Sequence, residues 1–426
     1  MSAITILVYL IVFFGVINLV RMTMFIVGSD IYSYGAKKTQ GKKLKRFYPA
    51  ISIIIPAHNE EKTVLRAVRS LVRNKYPRHK RQIILVDDGS TDKTAGIIEK
   101  YKKDYNVSNL LVMKQAQKGK AHALNNAMKK YAVGEIVMCL DSDSYLLPDG
   151  LRKVVNYFRN PSVAAVSANV KIIPSGSFLN LIQQFEYMIC YQMKRAQTVF
   201  NIEYIIGGIG STFRRSVLEK IGYYDSDTVT EDIDLTMKIL QLGNKNIRVV
   251  YGADVVAYTE SVLDLNGLIK QRFRWKWGRC QTFLKNANMF FSRDSRFTKG
   301  LTFFYLPFAI FCDIAFLFEP LIVLYIFYIV IRFGDFTTLF SIVVLISTYI
   351  ILNILMENTI QGRDKLKYII AAPFMYFFFY ILSFVEYVAL IKAVVRLPFL
   401  RKSISQKACR WDHVERLDLK QLKTTV

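Results

Sequence analysis

Apolar runs long enough to cross a bilayer stand near both ends of the chain, and a charged strand–helix alternation fills the middle. A helix rises about 1.5 Å per residue, so about 20 apolar residues span a hydrocarbon core of about 30 Å. Ala3 to Val20 is such a run, and Met22 to Val27 extend it past Arg21. No basic stretch precedes it, and Lys37, Lys38, Lys42, Lys43, Lys45 and Arg46 follow. The expectation is a retained span over residues 1–28 with its C-terminal end in the cytosol, rather than a signal peptide. Leu301–Phe333, Thr337–Met356 and Tyr368–Val395 are equally apolar. The first of these is too long for one untilted helix, and Pro320 is placed to break it into a tight pair. Three spans after the soluble domain would put the basic tail, residues 397–426, outside. Four would keep it inside but leave Arg363, Lys365 and Lys367 outside. The tail carries more charge, so the positive-inside rule favours four spans, with residues 300–396 forming a helical transmembrane bundle.

Residues 48–260 read as a soluble α/β domain. Short apolar segments at Ile51–Ile55, Gln82–Val86, Asn109–Met113 and Ile136–Leu140 alternate with helical patterns at Val64–Val72, Thr94–Tyr101 and Lys120–Tyr131. Such alternation predicts a mostly parallel sheet covered on both faces, with ligands bound at the carboxyl ends of its strands. Leu179–Phe200 and Leu263–Phe291 mix apolar and basic residues, and read equally as packing helices or as segments lying on the membrane surface. Residues 261–297 are therefore expected to form an interface segment. The net charge of +25 is concentrated beside the apolar runs, which suits anionic lipid. No nucleic-acid motif accompanies it, so nucleic acid is not an expected partner. The five cysteines are scattered without a CxxC or Cys/His cluster, which argues against a disulfide framework or a structural zinc site. There is no internal repeat and no low-complexity tract.

Several polar groups fall where chemistry needs them. Asp87-Asp88-Gly89 follows the second strand and Asp141-Ser142-Asp143 follows the fourth, so carboxylates meet the same crevice. The first group also suits a plain turn and cap. The second suits a hard divalent ion such as magnesium or manganese, which would offset charge on a diphosphate leaving group. Lys118-Gly119-Lys120 opens a helix and suits a phosphate, or is a solvated basic turn. Thr230-Glu231-Asp232-Ile233-Asp234 begins another helix. Thr230 is its expected cap and the acids favour its dipole, while Asp232 is also a candidate general base. Gln271, Arg274 and Trp275 share one helical face, where Arg274 suits a diphosphate and Trp275 a sugar ring, or both simply mark a membrane edge.

The ordered set SIIIPAHNE, VDDGS, KGKAHALN, DSD, TED and QRFRW, over about Ile51 to Trp275, resembles the processive family 2 glycosyltransferases. That family includes cellulose, chitin, hyaluronan and poly-N-acetylglucosamine synthases. The resemblance implies a GT-A nucleotide-sugar-binding fold and an inverting transfer from a UDP-sugar onto a growing polysaccharide. By the same resemblance Asp88 contacts the uridine, Asp141 the nucleotide, and Asp143 ligates Mg2+ or Mn2+. Lys120 approaches the diphosphate, Asp232 is the base with Glu231 beside it, and Gln271, Arg274 and Trp275 hold the diphosphate and acceptor end. The membrane helices would form the export channel, with an accessory subunit as a further partner. The implied location is the plasma membrane, multi-pass, with the catalytic domain cytosolic. The stretches LIQQFEYMICYQMKRAQTVF and GGIGSTFRRSVLEKIGYYDSDTVTEDIDL look most like the poly-β-1,6-N-acetylglucosamine synthases. Gly207-Gly208-Ile209 lacks the proline usual in hyaluronan and chitin synthases. Met237-Lys238, Trp277 and Gly278 depart from the pattern. A hyaluronan-, chitin- or glucan-type synthase, or a non-processive transfer to a lipid carrier, are the alternatives.

Overall fold

A computed structural model of the protein describes residues 3–40 and 46–405. Lys42, Lys43, Lys45, Cys409 and the rest of the tail from residue 406 lie outside the described residues.

The α/β domain is one eight-stranded sheet flanked by helices. Its strands are β1 (Ile51–Ala57), β2 (Arg81–Asp88), β3 (Leu110–Gln115), β4 (Ile136–Cys139), β5 (Tyr145–Leu146), β6 (Val163–Ile172), β7 (Ser211–Arg214) and β8 (Arg248–Thr259). The spatial order is β3-β2-β1-β4-β7-β6-β8-β5. β3, β2, β1 and β4 are parallel, as the alternation predicts. The rest is mixed: β7 runs antiparallel to β4 and β6, β6 and β8 are parallel, and β5 is antiparallel to β8. Every residue of β1 is buried, because helices cover both sheet faces. Side chains alternate across the pleat, so Ile53 and Ile55 join one core while Ile54 joins the other. Each such buried Ile contributes roughly 1.5–3 kcal/mol.

The helices of this domain are α2 (Val64–Val72), α3 (Thr94–Asp104), α4 (Lys120–Lys130), α5 (Gly150–Tyr157), α6 (Phe178–Phe200), α7 (Arg215–Ile221), α8 (Glu231–Gln241) and α9 (Leu265–Lys285). In α2 the buried Val64, Ala67, Val68 and Leu71 recur at helical spacing. Thr230 does stand at the N-cap of α8, but its side chain makes no capping bond and its hydroxyl is buried without a partner. The expected cap is therefore one of position only.

The long N-terminal helix α1 (Ala3–Gln40) packs along α6 and ends on the sheet. There the Tyr32 hydroxyl donates to the Tyr251 carbonyl at 2.8 Å. Arg195 of α6 is 2% exposed, bonds the Ser29 carbonyl and the Ser33 hydroxyl, and lies between the rings of Tyr32 and Tyr191. Towards the C-terminus, the run Leu301–Phe333 is interrupted next to Pro320, but as a bend rather than the expected tight pair, so it offers at most one span. A π-helical turn (Gly300–Tyr305) leads into α10 (Leu306–Phe316), and α11 (Glu319–Phe333) departs at 51° with Pro320 in its first turn. α12 (Phe336–Met356), α13 (Gly362–Arg396) and α14 (Leu400–Ser405) complete the chain. Among the described residues, three helices, or four if the bent pair is one span, are long and apolar enough to cross a membrane.

Candidate active site

Parallel pairing brings the carboxyl ends of β2 and β4 to one edge of the sheet, and the acidic residues follow from it. Asp88 ends β2 and is fully buried. One of its oxygens accepts from Gln115 Nε2 at 2.7 Å and from the Lys118 N–H at 3.0 Å. The other accepts from the Gly119 N–H at 2.7 Å. Asp88 thus pins the loop that enters α4. Gly119 stands at φ 93°, a backbone region that L side chains avoid, so the turn needs glycine there.

The turn aims the next residue at the acids. Lys120 Nζ lies 2.8 Å from Asp141 Oδ1 and 3.4 Å from Glu231 Oε1. Burial works against its charge, but Asp141, Glu231 and Asp232 outweigh burial and hold its pKa above the ordinary lysine value. Gly208 makes room for this contact, since a Cβ there would stand 2.7 Å from Lys120 Nζ and 3.5 Å from both Asp141 oxygens. Asp232 is half-buried in the first turn of α8 and accepts from the Ile233 N–H at 2.9 Å. Burial, then the neighbouring Glu231 charge, push its pKa up to about 6, against the pull of Lys120, the Ile233 N–H and Arg274. A carboxylate raised so far from its usual range is what a base working near neutral pH requires.

Asp143 is buried just beyond β4 and accepts from the Ser144 hydroxyl at 2.7 Å. Arg66 of α2 braces this turn, donating to the Asp143 carbonyl at 2.7 Å and to Glu260 at 2.8 Å. Asp141 and Asp143 are two carboxylates from one turn, the oxygen ligands that hard divalent ions take, with Asp141 held by Lys120 and Asp143 by Ser144. On α9, Arg274 is exposed and near enough to Asp232 to depress its pKa. Gln271 and Trp275 are half-buried, and neither makes a hydrogen bond to the acidic cluster. The Arg272 guanidinium sits 4.2 Å from the centre of the Trp275 ring and bonds Glu186 at 2.7 Å. One ring face of Trp275 is therefore already covered. Lys120, Asp141, Glu231, Asp232 and Arg274 are thus brought together, Asp88 joins through the loop backbone, and Asp143 through its turn.

Sequence reasoning missed the residues that hold these groups in place. Gly278 of α9 lies against Thr230, so any side chain there would strike the residue that opens α8. Gln281 Oε1 accepts from the Val229 N–H at 3.0 Å. Lys285 Nζ meets Asp225, Asp227 and the fully buried Asp234 at 2.7, 2.9 and 2.8 Å. The signal available was the departure at Gly278 from the expected pattern. Arg66 and Lys285 carried none.

Residues 52–222 match the family model described as Glycosyl transferase family 2. The chain is 33% identical over 268 residues to the poly-beta-1,6-N-acetyl-D-glucosamine synthase of Staphylococcus epidermidis, covering 61% of this chain and 63% of that one. It is 32% identical over 238 residues to the enzyme of the same name from Staphylococcus aureus strain COL, covering 55% and 56%. The match thus spans less than two thirds of the length of these relatives. Among solved structures, a mannosyltransferase from Pyrobaculum calidifontis, in complex with GDP-Man and Mn2+, aligns over 89% of this chain and 97% of its own. Its TM-score is 0.55 and its sequence identity 19%. The shared fold is the GT-A glycosyltransferase fold, here joined to apolar helices that are candidate membrane spans.

Proposed function

We propose, from the match of residues 52–222 to the family 2 glycosyl transferase model, that the protein polymerises N-acetylglucosamine from UDP-N-acetylglucosamine into a β-1,6-linked chain at the membrane and exports it. The names of the staphylococcal relatives support this sugar and linkage. The observation that carries the reaction is the cluster at the strand ends, where Lys120 Nζ meets Asp141 at 2.8 Å and Glu231 at 3.4 Å, beside Asp232, whose pKa is pushed up to about 6.

In this reading Asp232 takes the proton of the acceptor hydroxyl as that oxygen attacks the anomeric carbon. The bond from that carbon to the UDP oxygen breaks, its electron pair leaves with UDP, and the configuration inverts. Lys120 and Arg274 face the charge that builds on the diphosphate. Asp141 and Asp143 are the residues that would hold Mg2+ or Mn2+, and the ion would offset charge on the departing diphosphate. Asp88 acts one step back, by fixing the loop from which Lys120 projects. Gln271 and Trp275 would hold the acceptor end, with the uncovered face of Trp275 turned to a sugar ring.

The test uses purified protein in a bilayer, UDP-N-acetylglucosamine and Mn2+ or Mg2+, with UDP release and product size as readouts. UDP release with a long product is expected. Release with one sugar on a lipid carrier would overturn the polymerase reading, and release only with a different UDP-sugar would overturn the donor. Full activity in Asp232→Asn would overturn the assignment of the base.

A further inference from the structure

α13 is apolar enough to cross a bilayer, yet both of its ends rest on the catalytic domain. Just before it, Glu357 is 1% exposed with Lys171 of β6 at 3.7 Å, and Asn169 of β6 donates to Thr359 at 3.3 Å. In its second turn the Tyr368 hydroxyl donates to Gln184 of α6 at 2.5 Å. At its far end the Arg396 guanidinium lies 4.6 Å from the centre of the Phe273 ring of α9. Seven residues on, Ser403 accepts from Gln281 at 2.9 Å, and Gln281 itself holds the loop before α8. Between these points Leu382 and Val385 pack on Ile182, Val262 and Leu268.

A helix of 35 residues is about 52 Å long, ample to cross a core of about 30 Å. A crossing helix, however, leaves its ends on opposite sides, and here both ends are docked on one soluble domain. We propose that α13 does not cross the bilayer: it lies in the leaflet on the catalytic side, clamped beneath α6 and α9. Leu366, Ile370, Phe374, Phe377, Phe384 and Val395 form an exposed apolar stripe along its whole length. α10 to α12 also expose large apolar residues, and Arg363, Lys365, Lys367, Lys392 and Arg396 stand near the two ends of α13. An apolar stripe beside basic residues fits acyl chains under anionic headgroups. The crossings are then α1, the bent pair α10–α11 and α12. This removes the conflict between three and four spans, because Arg363, Lys365, Lys367 and the basic C-terminal side all fall on the catalytic side. The inference rests on the helices being in a membrane and not on the proposed reaction.

The test places single cysteines, in a chain whose five native cysteines are replaced, at Lys100, Thr337, Lys367 and Arg401. Right-side-out and inside-out vesicles are then labelled with a membrane-impermeant maleimide. Lys367→Cys and Arg401→Cys are expected to react from the same side as Lys100→Cys in the catalytic domain, and Thr337→Cys from the other. Arg401→Cys reacting with Thr337→Cys would overturn the proposal. In Phe374→Cys a nitroxide is expected to be relaxed by lipid-soluble oxygen and not by an aqueous nickel complex. Relaxation by nickel, or disulfide cross-linking of two copies through position 374, would overturn lipid as the occupant. Loss of UDP release with the labelling pattern intact would bear on the reaction alone.

Discussion

Asp232 combines two roles that pull against each other. Its carboxyl holds a proton more tightly in the folded chain than a free aspartate does, because burial and Glu231 disfavour the charge. A group with a raised folded pKa supplies stability below its unfolded pKa and loses it as pH climbs through the folded value, here from about 4 to about 6. At neutral pH its charge is a cost, so Asp232→Asn is expected to stabilise the protein by about 1–2 kcal/mol at pH 7. The same substitution should lower sugar transfer by about 10²–10⁴-fold. Thermal unfolding and UDP release measured on one preparation check both signs. The unsubstituted protein should also lose transfer as pH falls through about 6, since only the charged carboxylate accepts a proton. A rate flat from pH 5 to 8 would count against Asp232 as base. Gly208 makes a separable prediction. A methyl group there meets the tip of the flexible Lys120 side chain at 2.7 Å, and that tip can move. Gly208→Ala should therefore fold normally but displace the ammonium from the diphosphate site, raising KM for the donor several-fold more than it lowers kcat.

At the scale of elements, the site is held by α9 as much as by the sheet. Lys285, at the last residue of α9, gathers Asp225 and Asp227 from the loop before α8 and Asp234 from α8 itself. Asp234 is fully buried, and burial raises its pKa while the bond to Lys285 lowers it. Lys285→Met would strand that buried carboxylate and is expected to cost about 3 kcal/mol, with Lys285→Arg recovering part of it. Denaturant unfolding measures this, and an unchanged midpoint would remove Lys285 from the support of α8. None of this was legible in the sequence, because charges from residues 225, 234 and 285 meet only after folding. What was legible is local. Alternating apolar segments placed β1 to β4 and α2 to α4 within a few residues, since their periodicity is set by burial on two faces. Pro320 marked the α10–α11 break because proline, lacking an N–H, suits the first turn of a helix, where it stands in α11. The second half of the sheet was not legible, since β6, β7 and β8 pair across long and irregular connections. Thr230 had the right residue type for a cap, yet packing against Gly278 draws its side chain away from that bond.

At the scale of the whole molecule, hydropathy alone left the sidedness of α13 open, and the docking of its two ends decides how charge is distributed across the membrane. With α13 lying on the catalytic side, Arg363, Lys365, Lys367, Arg396, Arg401 and Lys402 all fall on that side of the membrane. Each basic side chain near an anionic surface contributes about 1 kcal/mol to attraction, and that attraction decays within a Debye length. The helix so held lies directly on α9, which carries Arg274 and supports α8, so lipid charge bears on the site through one packed interface. The protein in a bilayer containing anionic lipid should therefore transfer sugar several-fold faster than in a zwitterionic bilayer of equal thickness. Raising salt shortens the Debye length from about 10 Å at 0.1 M to about 3 Å at 1 M, and should erase most of that difference. UDP release in the two bilayers across that salt range measures it. Equal rates at low salt would mean that the basic groups around α13 do not rest on the headgroups. A difference that persists at high salt would mean that individual lipids are bound in fixed sites rather than attracted as a charged surface.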